Sequence, residues 1–216
     1  MLVIAGSSRK GGSGKTTICS HLAVTAEAAG AGPVGLIDLD PMQGLAGWFA
    51  ARQFSTPLLA NSPALDDPAV VGELLDVLRA AGCRVALIDT PPSVGPVVLA
   101  AVRASDLVLV PVQPSPDDLR AVGRTVEAVR AHRKPLIFVI NRVKPRSRLT
   151  GEAAIVLSQS GTVASVQIGD RVDYAAAKTN GLTAAEIGCA QAEQEMQQLW
   201  AYVVQRAEEI ASVAAE

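Results

Sequence analysis

The chain has 216 residues, of which 49% are hydrophobic and 19% charged, and its 21 acidic residues nearly balance 19 basic ones. This composition excludes intrinsic disorder and predicts one globular domain over residues 1–216. Three scattered cysteines without a CxxC pair exclude a disulfide framework and a cysteine metal site, and they favour a reducing cytoplasm. The apolar runs of the chain are too short to span a bilayer.

Short apolar runs of strand length alternate with Ala-rich helical segments along the whole chain. Strands are predicted at residues 2–6, 34–38, 85–89, 107–112, 136–140 and 163–168. Helices are predicted at 15–29, 67–81, 94–103, 116–132, 149–160 and 191–211, and residues 54–68, which contain three prolines, are predicted to be a surface loop. Because several strands are apolar on both faces, the predicted fold is α/β, a doubly wound and mostly parallel sheet with helices on both faces.

The strongest motif lies where the first strand meets the first helix, and it reads Lys10-Gly11-Gly12-Ser13-Gly14-Lys15-Thr16-Thr17. Glycines let backbone N–H groups surround phosphate oxygens, the helix N-terminus adds its positive dipole end, and the last lysine reaches the β- and γ-phosphates. The threonine after that lysine can bind Mg²⁺. A dinucleotide-binding pattern fits poorly because Thr17 stands where a third glycine is needed. The motif therefore predicts binding of a nucleoside triphosphate.

This loop departs from the standard GxxxxGK[ST] pattern, because Arg9 replaces the first glycine and Lys10 adds a second lysine. In this form it resembles the KGGxGKT[ST] loop of the deviant Walker ATPases of the ParA/MinD family. The resemblance implies a P-loop ATPase whose homodimer encloses ATP, with residues 10–17 as the nucleotide-binding loop. It also implies two catalytic lysines, Lys15 and a Lys10 that crosses the dimer interface to the other subunit's phosphates, as an arginine finger does.

Three acidic residues lie at or just beyond the ends of predicted strands near this loop, namely Asp38, Asp40 and Asp89. Carboxylates at the carboxyl ends of parallel strands are typical of ligand sites, although an aspartate there can also cap a turn or a helix. The resemblance implies that Asp40 positions the attacking water, and that Mg²⁺ is bound through Thr16, Asp38 and Asp89. Met42 stands where the family has glutamine.

Two later segments resemble the family's base-binding region. Asn141 follows the predicted strand 136–140 and resembles an asparagine that hydrogen-bonds the adenine edge, although a strand-end turn uses asparagine about as often. Residues 168–174, followed by Gly181, resemble the segment I-P-R-x-V…G, but Gly169 and Asp170 replace its proline and arginine. Base contacts in that segment stay unassigned.

Charge is distributed unevenly, which bears on the partners of such an ATPase. Residues 128–151 contain seven basic and no acidic residues, which leaves 12 basic against 21 acidic residues elsewhere. The resemblance implies a cytoplasmic, nucleoid-associated dimer for plasmid or chromosome partitioning or cargo positioning, with slow hydrolysis that an adaptor protein stimulates, and the basic segment supports this hypothesis. Non-specific DNA would bind in the ATP form through Lys144, Arg146 and Arg148. The same bases are also compatible with an ordinary solvated face.

Three other functions belong to the same scaffold. Membrane positioning needs a basic amphipathic C-terminal helix, and the acidic residues 207–216 do not predict one. Transfer of electrons or metal clusters needs bridging cysteines, which the missing CxxC disfavours. The alternative closest to the first hypothesis is a nucleotide-switched regulatory ATPase of a secretion, polysaccharide-synthesis or division-site complex that does not bind DNA.

Overall fold

The computed structural model describes residues 1–214, and its centre is a sheet of seven parallel strands. The strands are β1 (Leu2–Gly6), β2 (Val34–Asp38), β3 (Leu58–Ala60), β4 (Val85–Asp89), β5 (Leu107–Val112), β6 (Leu136–Ile140) and β7 (Thr162–Val163). Their order is β3-β2-β4-β1-β5-β6-β7, so the chain winds from β1 toward one edge and later toward the other. The predicted α/β doubly wound parallel sheet is confirmed.

Helices cover both faces of the sheet. They are α1 (Lys15–Ala28), α2 (Gly44–Ala51), α3 (Val70–Ala80), α4 (Pro96–Ala104), α5 (Pro116–Ala131), α6 (Arg148–Ser158), α7 (Asp173–Ala176) and α8 (Ala190–Ala214), with a 3-10 helix at Ala177–Asn180. Across residues 1–214, no helix has the length and apolarity that crossing a bilayer requires. Residues 215 and 216, and with them the end of the acidic segment 207–216, lie outside the described residues.

Alternation along the strands builds a core on each face. Ile4 of β1 packs in one cluster with Leu22 of α1 and Trp200 of α8, while its neighbour Val3 packs in another with Leu75 of α3. β5 and β6 face α5 and α6 on that second side. All five residues of β2 and of β4 are buried, which explains why these strands read as continuous apolar runs.

Short elements account for the differences from the sequence prediction. α2, α7 and the 3-10 helix were not predicted, and β3 lies inside the predicted loop 54–68. The strand predicted at 163–168 is wrong in extent, because only Thr162 and Val163 pair with β6. Beyond them, Ala164 and Ile168 each donate one backbone hydrogen bond to β6 at 2.9 Å. Strands of two or three residues and helices of four to eight residues contain too few positions to show a hydrophobic period.

The seven basic residues of segment 128–151 fall into two groups, one at each end of β6. β6 lies in the middle of that segment, and a five-residue strand at about 3.3 Å per residue separates its two ends by roughly 16 Å. Three bases precede the strand, namely Arg130, Arg133 and Lys134. Four follow it at its carboxyl end, namely Arg142, Lys144, Arg146 and Arg148. The three predicted DNA contacts all belong to the second group.

A turn at Gly181 fixes the 3-10 helix against the end of α2. Gly181 has a φ of +65°, and a Cβ at this position would lie 2.3 Å from the backbone nitrogen of Arg52. Its carbonyl oxygen accepts a hydrogen bond from Arg52 Nη1 at 2.9 Å. A side chain at residue 181 would therefore meet both a left-handed backbone and a neighbouring main chain.

We expect Gly181→Ala to lower the free energy of unfolding by about 2 kcal/mol or more, because the clash and the backbone strain act together. Gly123→Ala is the matched control, since a Cβ at Gly123 in α5 meets nothing within 4 Å. That variant should be more stable by about 0.5 to 1 kcal/mol. Urea denaturation measures both, and an unchanged midpoint for Gly181→Ala would contradict the close approach.

Candidate functional site

The carboxyl ends of the parallel strands bring the predicted site residues to one edge of the sheet. β1 leads into the glycine-rich loop, β2 ends at Asp38 with Asp40 two residues later, and β4 ends at Asp89. Asn141 follows β6 at the same edge. Ligands of open α/β sheets bind at this edge where the winding direction reverses, and β1 is the strand from which this chain reverses.

The loop is shaped by glycines and held by side chains from neighbouring strands. Gly12 and Gly14 have φ values of +76° and +101°, and α1 begins directly afterwards. Asn141 Nδ2 donates to the Ser13 carbonyl oxygen at 2.7 Å, and a Cβ on Gly14 would lie 2.1 Å from that nitrogen. Gln113 Nε2 donates to the Gly12 carbonyl oxygen at 2.9 Å. Asn141 thus supports the loop, and its contact with adenine stays a prediction.

Lys15 is buried at the start of α1 and folds back over the loop. Its Nζ donates to the Ser8 carbonyl oxygen at 3.2 Å, and its exposed fraction is 6%. Burial lowers the pKa of Lys15, while the charges of Asp89 and Asp40 act in the opposite direction. A desolvated ammonium group bonded to one neutral carbonyl is well suited to exchange that carbonyl for phosphate oxygens.

Asp89 and Thr16 form the part of the site that fits Mg²⁺. Thr16 Oγ1 donates to Asp89 Oδ2 at 2.5 Å, whereas the buried Oδ1 of Asp89 has no hydrogen-bond partner among the described residues. Burial raises the pKa of Asp89 to about 7, and the neighbouring Asp38 adds to that rise. An unpaired buried carboxylate oxygen beside a hydroxyl is the hard-oxygen donor set that Mg²⁺ takes, usually together with phosphates and water.

Asp38 uses both carboxylate oxygens to anchor the chain that follows β2. Oδ1 accepts from the Asp40 N–H at 3.0 Å, and Oδ2 accepts from the N–H groups of Leu45 and Ala46 at 2.9 and 2.8 Å. These last two are free N–H groups in the first turn of α2, so Asp38 caps this helix. Capping is the alternative that the sequence left open, and a role of Asp38 toward Mg²⁺ stays a prediction.

Asp40 is half-buried and keeps one carboxylate oxygen available. Its Oδ1 accepts from the Met42 N–H at 3.0 Å, while Oδ2 has no hydrogen-bond partner within residues 1–214. Its charge acts on both Lys15 and Asp89, which puts it beside the loop lysine. Met42, at the position of the family's glutamine, is 85% exposed. The assignment of Asp40 to the attacking water stays a prediction that this geometry allows.

Lys10 forms an ion pair within its own chain. Its Nζ donates to Asp118 Oδ2 near the start of α5, and the Asp118 side chain is only 3% exposed. The same oxygen accepts from Ser115 Oγ at 2.5 Å, and Ser115 Oγ accepts in return from the Asp118 N–H. The lysine predicted to serve the other subunit is therefore held by a fixed, buried carboxylate in the isolated chain.

A cleft of about 460 Å³ begins where the phosphate loop ends. Gly14, Thr17 and Asn141 line one side, and residues 169–172, 174 and 175 with Lys178 line the other. Burial lowers the pKa of Lys178, opposed by the charges of Asp89 and Asp38, and no salt bridge engages it in the described part of the chain. Sequence reasoning missed Lys178 and Asp118, because neither belongs to a contiguous motif.

The bases at the carboxyl end of β6 are available to a partner. Arg142, Lys144, Arg146 and Arg148 are all exposed, and none takes part in a salt bridge among residues 1–214. Arg142 also lines the cleft. The first base of this group therefore lies at the candidate nucleotide site, and the other three follow it within six residues of the chain.

The strand order, the glycine-rich loop between β1 and α1, and the acid at the end of the neighbouring β4 define a P-loop nucleotide-binding fold. The family model described as the CobQ/CobB/MinD/ParA nucleotide binding domain matches residues 4–184. The chain belongs to this family, which confirms the resemblance to ParA/MinD ATPases drawn from the phosphate loop.

Two similar proteins are both described as maintenance of carboxysome distribution protein A. The one from Halothiobacillus neapolitanus is 29% identical over 188 residues, covering 83% of this chain and 84% of that protein. The one from Gloeobacter kilaueensis is 38% identical over 154 residues, covering 70% of this chain and 67% of that protein.

Solved structures show the same fold at low sequence identity. Apo McdA of Cyanothece has a TM-score of 0.78 and 17% identity, and the match covers 94% of this chain and 99% of that one. The septum site-determining protein MinD of Pyrococcus horikoshii, complexed with Mg-ADP, has a TM-score of 0.76 and 18% identity, covering 99% and 97%.

His21 joins α1 to the segment behind the cleft. Its Nε2 accepts a hydrogen bond from the Ala184 N–H at 3.0 Å, so the ring proton lies on Nδ1, which donates to the Thr17 carbonyl oxygen at 2.8 Å. Burial lowers the pKa of His21 to about 4. Protonation would place a second proton against the Ala184 N–H and bury a charge.

Because the pKa of folded His21 lies below its ordinary 6.5, the folded state binds fewer protons than the unfolded state between pH 4 and 6.5. Stability should be complete above about pH 6.5 and fall by roughly 3 kcal/mol as the pH approaches 4. Urea denaturation across this range should show a shallower loss for His21→Gln. His132→Gln, which keeps His21, should lose stability as the unchanged protein does. Equal slopes for all three would contradict the assignment.

Proposed function

We propose that this chain is an ATPase that binds ATP and Mg²⁺, dimerises around the nucleotide, and uses the cycle to position or partition a large cargo. The carrying observation is a two-lysine phosphate loop in a chain most of whose length matches two proteins named for carboxysome distribution. A carboxysome-like body, a plasmid or a chromosome is the cargo class that this proposal covers. Residues 1–216 would act as one domain.

The roles of the site residues follow from their present contacts. Thr16 and Asp89 would hold Mg²⁺, which supplies charge neutralisation on the phosphoryl oxygens. Lys15 would exchange the Ser8 carbonyl oxygen for phosphate oxygens. Asp40 would orient the attacking water through its unengaged Oδ2. Asp38 would act mainly through α2, whose first turn it holds beside the site.

Lys10 would couple dimerisation to the triphosphate. It must leave Asp118 before it reaches a nucleotide in the other subunit, so one ion pair is exchanged for another. Triphosphate charge at the interface offsets the loss of the first pair, whereas an empty or diphosphate site offers less charge. Slow hydrolysis follows from the same arrangement, and an adaptor protein that favours the released lysine would accelerate it.

We expect Lys10→Ala to abolish the ATP-dependent dimer, measured by light scattering with a non-hydrolysable ATP analogue. Asp118→Asn should have the opposite effect and lower the dimer dissociation constant about fivefold, because it frees Lys10 without removing it. Asp117→Asn is the matched control, since Asp117 is exposed on the same helix turn and should leave dimerisation unchanged. An ATP-dependent dimer in Lys10→Ala would defeat the cross-subunit role.

Non-specific DNA binding by the ATP-bound dimer is part of the proposal. It is supported by the four exposed, unpaired bases after β6, because affinity of this kind comes from neutralising phosphates. Two copies in a dimer would double their number and offset the acidic remainder of the chain. Association with the nucleoid in the cytoplasm would follow.

We expect the triple variant Lys144→Gln, Arg146→Gln, Arg148→Gln to lose ATP-dependent DNA binding in a gel-shift assay. Six lost phosphate contacts per dimer should make the log–log salt dependence shallower by about five. The matched control is Arg130→Gln, Arg133→Gln, Lys134→Gln, which removes equal charge from the other end of β6. Equal binding by both variants would exclude this surface. Absence of DNA binding in the unchanged protein would favour the regulatory ATPase without DNA.

A further inference from the structure

Only one side of the cleft is part of the sheet and phosphate-loop framework. A nucleotide whose phosphates occupy the loop must extend its sugar and base past Gly14 and Thr17 into the cleft, against residues 169–175, here called the 169–175 wall. This wall joins the sheet through an isolated bridge between Val143 and Gly169, and its helix α7 has four residues. Its shape therefore depends on what its side chains contact.

One carboxylate on α8 gathers three parts of this wall. Glu195 Oε2 accepts from the Gly169 N–H at 3.2 Å and from the Tyr174 hydroxyl at 2.7 Å. Its Oε1 accepts from Arg171 Nη2 at 2.7 Å and from Nε at 3.2 Å. The Glu195 side chain is 14% exposed, so these charge-assisted bonds are largely shielded from water. Both ends and the middle of the wall are thus fixed to one residue.

The glycine at residue 169 is explained by this same arrangement. A Cβ there would lie 3.1 Å from Glu195 Oε1 and 3.2 Å from the Arg171 guanidinium carbon. A proline would in addition lack the N–H that donates to Glu195. Glycine is the residue that leaves room for the ion pair and keeps the donor. The departure from the I-P-R pattern is therefore coupled to Glu195 and Arg171.

Tyr174 links the wall to the phosphate-loop side of the cleft. Its ring meets His21 edge-on, with 5.0 Å between centroids, and His21 in turn donates to the Thr17 carbonyl oxygen. Burial and the hydrogen bond to Glu195 raise the pKa of Tyr174, so its hydroxyl stays a donor. The separation of the two sides of the cleft is thus set through Glu195, Tyr174 and His21.

We propose that Glu195 is a positioning residue that holds the 169–175 wall at the distance required by the base and sugar of the nucleotide. It does not touch the nucleotide and acts through Gly169, Arg171 and Tyr174. The inference rests on the proposed ATP binding by the phosphate loop. It predicts a loss confined to ligands that carry a nucleoside, because inorganic tripolyphosphate needs only the loop.

Calorimetric titration of the full chain with ATP and with tripolyphosphate, both with Mg²⁺, tests this. We expect Glu195→Gln and Glu195→Ala to raise the Kd for ATP about tenfold and that for tripolyphosphate less than about twofold. Glu193→Gln is the matched control, because Glu193 is exposed on the same helix and bonds only Gln197 among the described side chains. Its affinities for both ligands should equal those of the unchanged protein.

The inference is overturned if the Glu195 variants keep the ATP affinity, or if they lose ATP and tripolyphosphate equally. Should they fail to fold, Tyr174→Phe decides, since it removes one hydrogen bond to Glu195 and should weaken ATP alone by about threefold. No binding of either ligand by the unchanged protein would instead defeat the proposed function.

Discussion

The structure depends on how two like charges are accommodated at the carboxyl edge of the sheet. Asp38 and Asp89 are partners in the β2–β4 register, both fully buried, and burial raises both pKa values. The cost of burying a carboxylate is offset differently at the two residues. Asp38 accepts hydrogen bonds from backbone N–H groups with its carboxylate and so fixes α2, whereas Asp89 has one hydroxyl partner and, among residues 1–214, one oxygen without a partner. That oxygen, and the Lys15 ammonium whose one hydrogen bond among residues 1–214 is to a carbonyl, are the groups that a cation and phosphates would engage.

The two sides of the cleft beside this edge are held in place by different kinds of interaction. The phosphate-loop side is fixed by glycine backbone angles and by strand ends, so its geometry follows directly from the sheet. The 169–175 wall is fixed by side-chain bonds from α8 and by the His21 ring. Backbone geometry of the first kind changes little between ligands with the same phosphates. A wall that is fixed by side-chain contacts can change more readily, and such changes would alter which sugar and base the cleft accepts.

The sequence is sufficient to predict those features that residues close together in the chain encode. The phosphate loop, the acids at the ends of β2 and β4, the five long strands and the crossover helices all appear as unbroken motifs or periods. Lys10 and Asp118 are 108 residues apart, and Glu195 lies 24 residues beyond Arg171, so no local sequence pattern predicts either pair. The bases of segment 128–151 are the converse case, because β6 separates residues that are close together in the sequence. Patterns along a chain report faces of one element, whereas these contacts join several elements.

The ion pair of Lys10 and the bases after β6 lie at the same carboxyl edge of the sheet. Arg142 lines the cleft, and Asn141 beside it bonds the phosphate loop through Ser13. A triphosphate bound in the loop would therefore affect the segment where the basic group begins through neighbouring contacts, without involving the core. A protein in which a ligand site and a basic segment are adjacent can link the two by local rearrangement. The bases before β6, at the far end of that strand, have no such connection to the phosphate loop within residues 1–214.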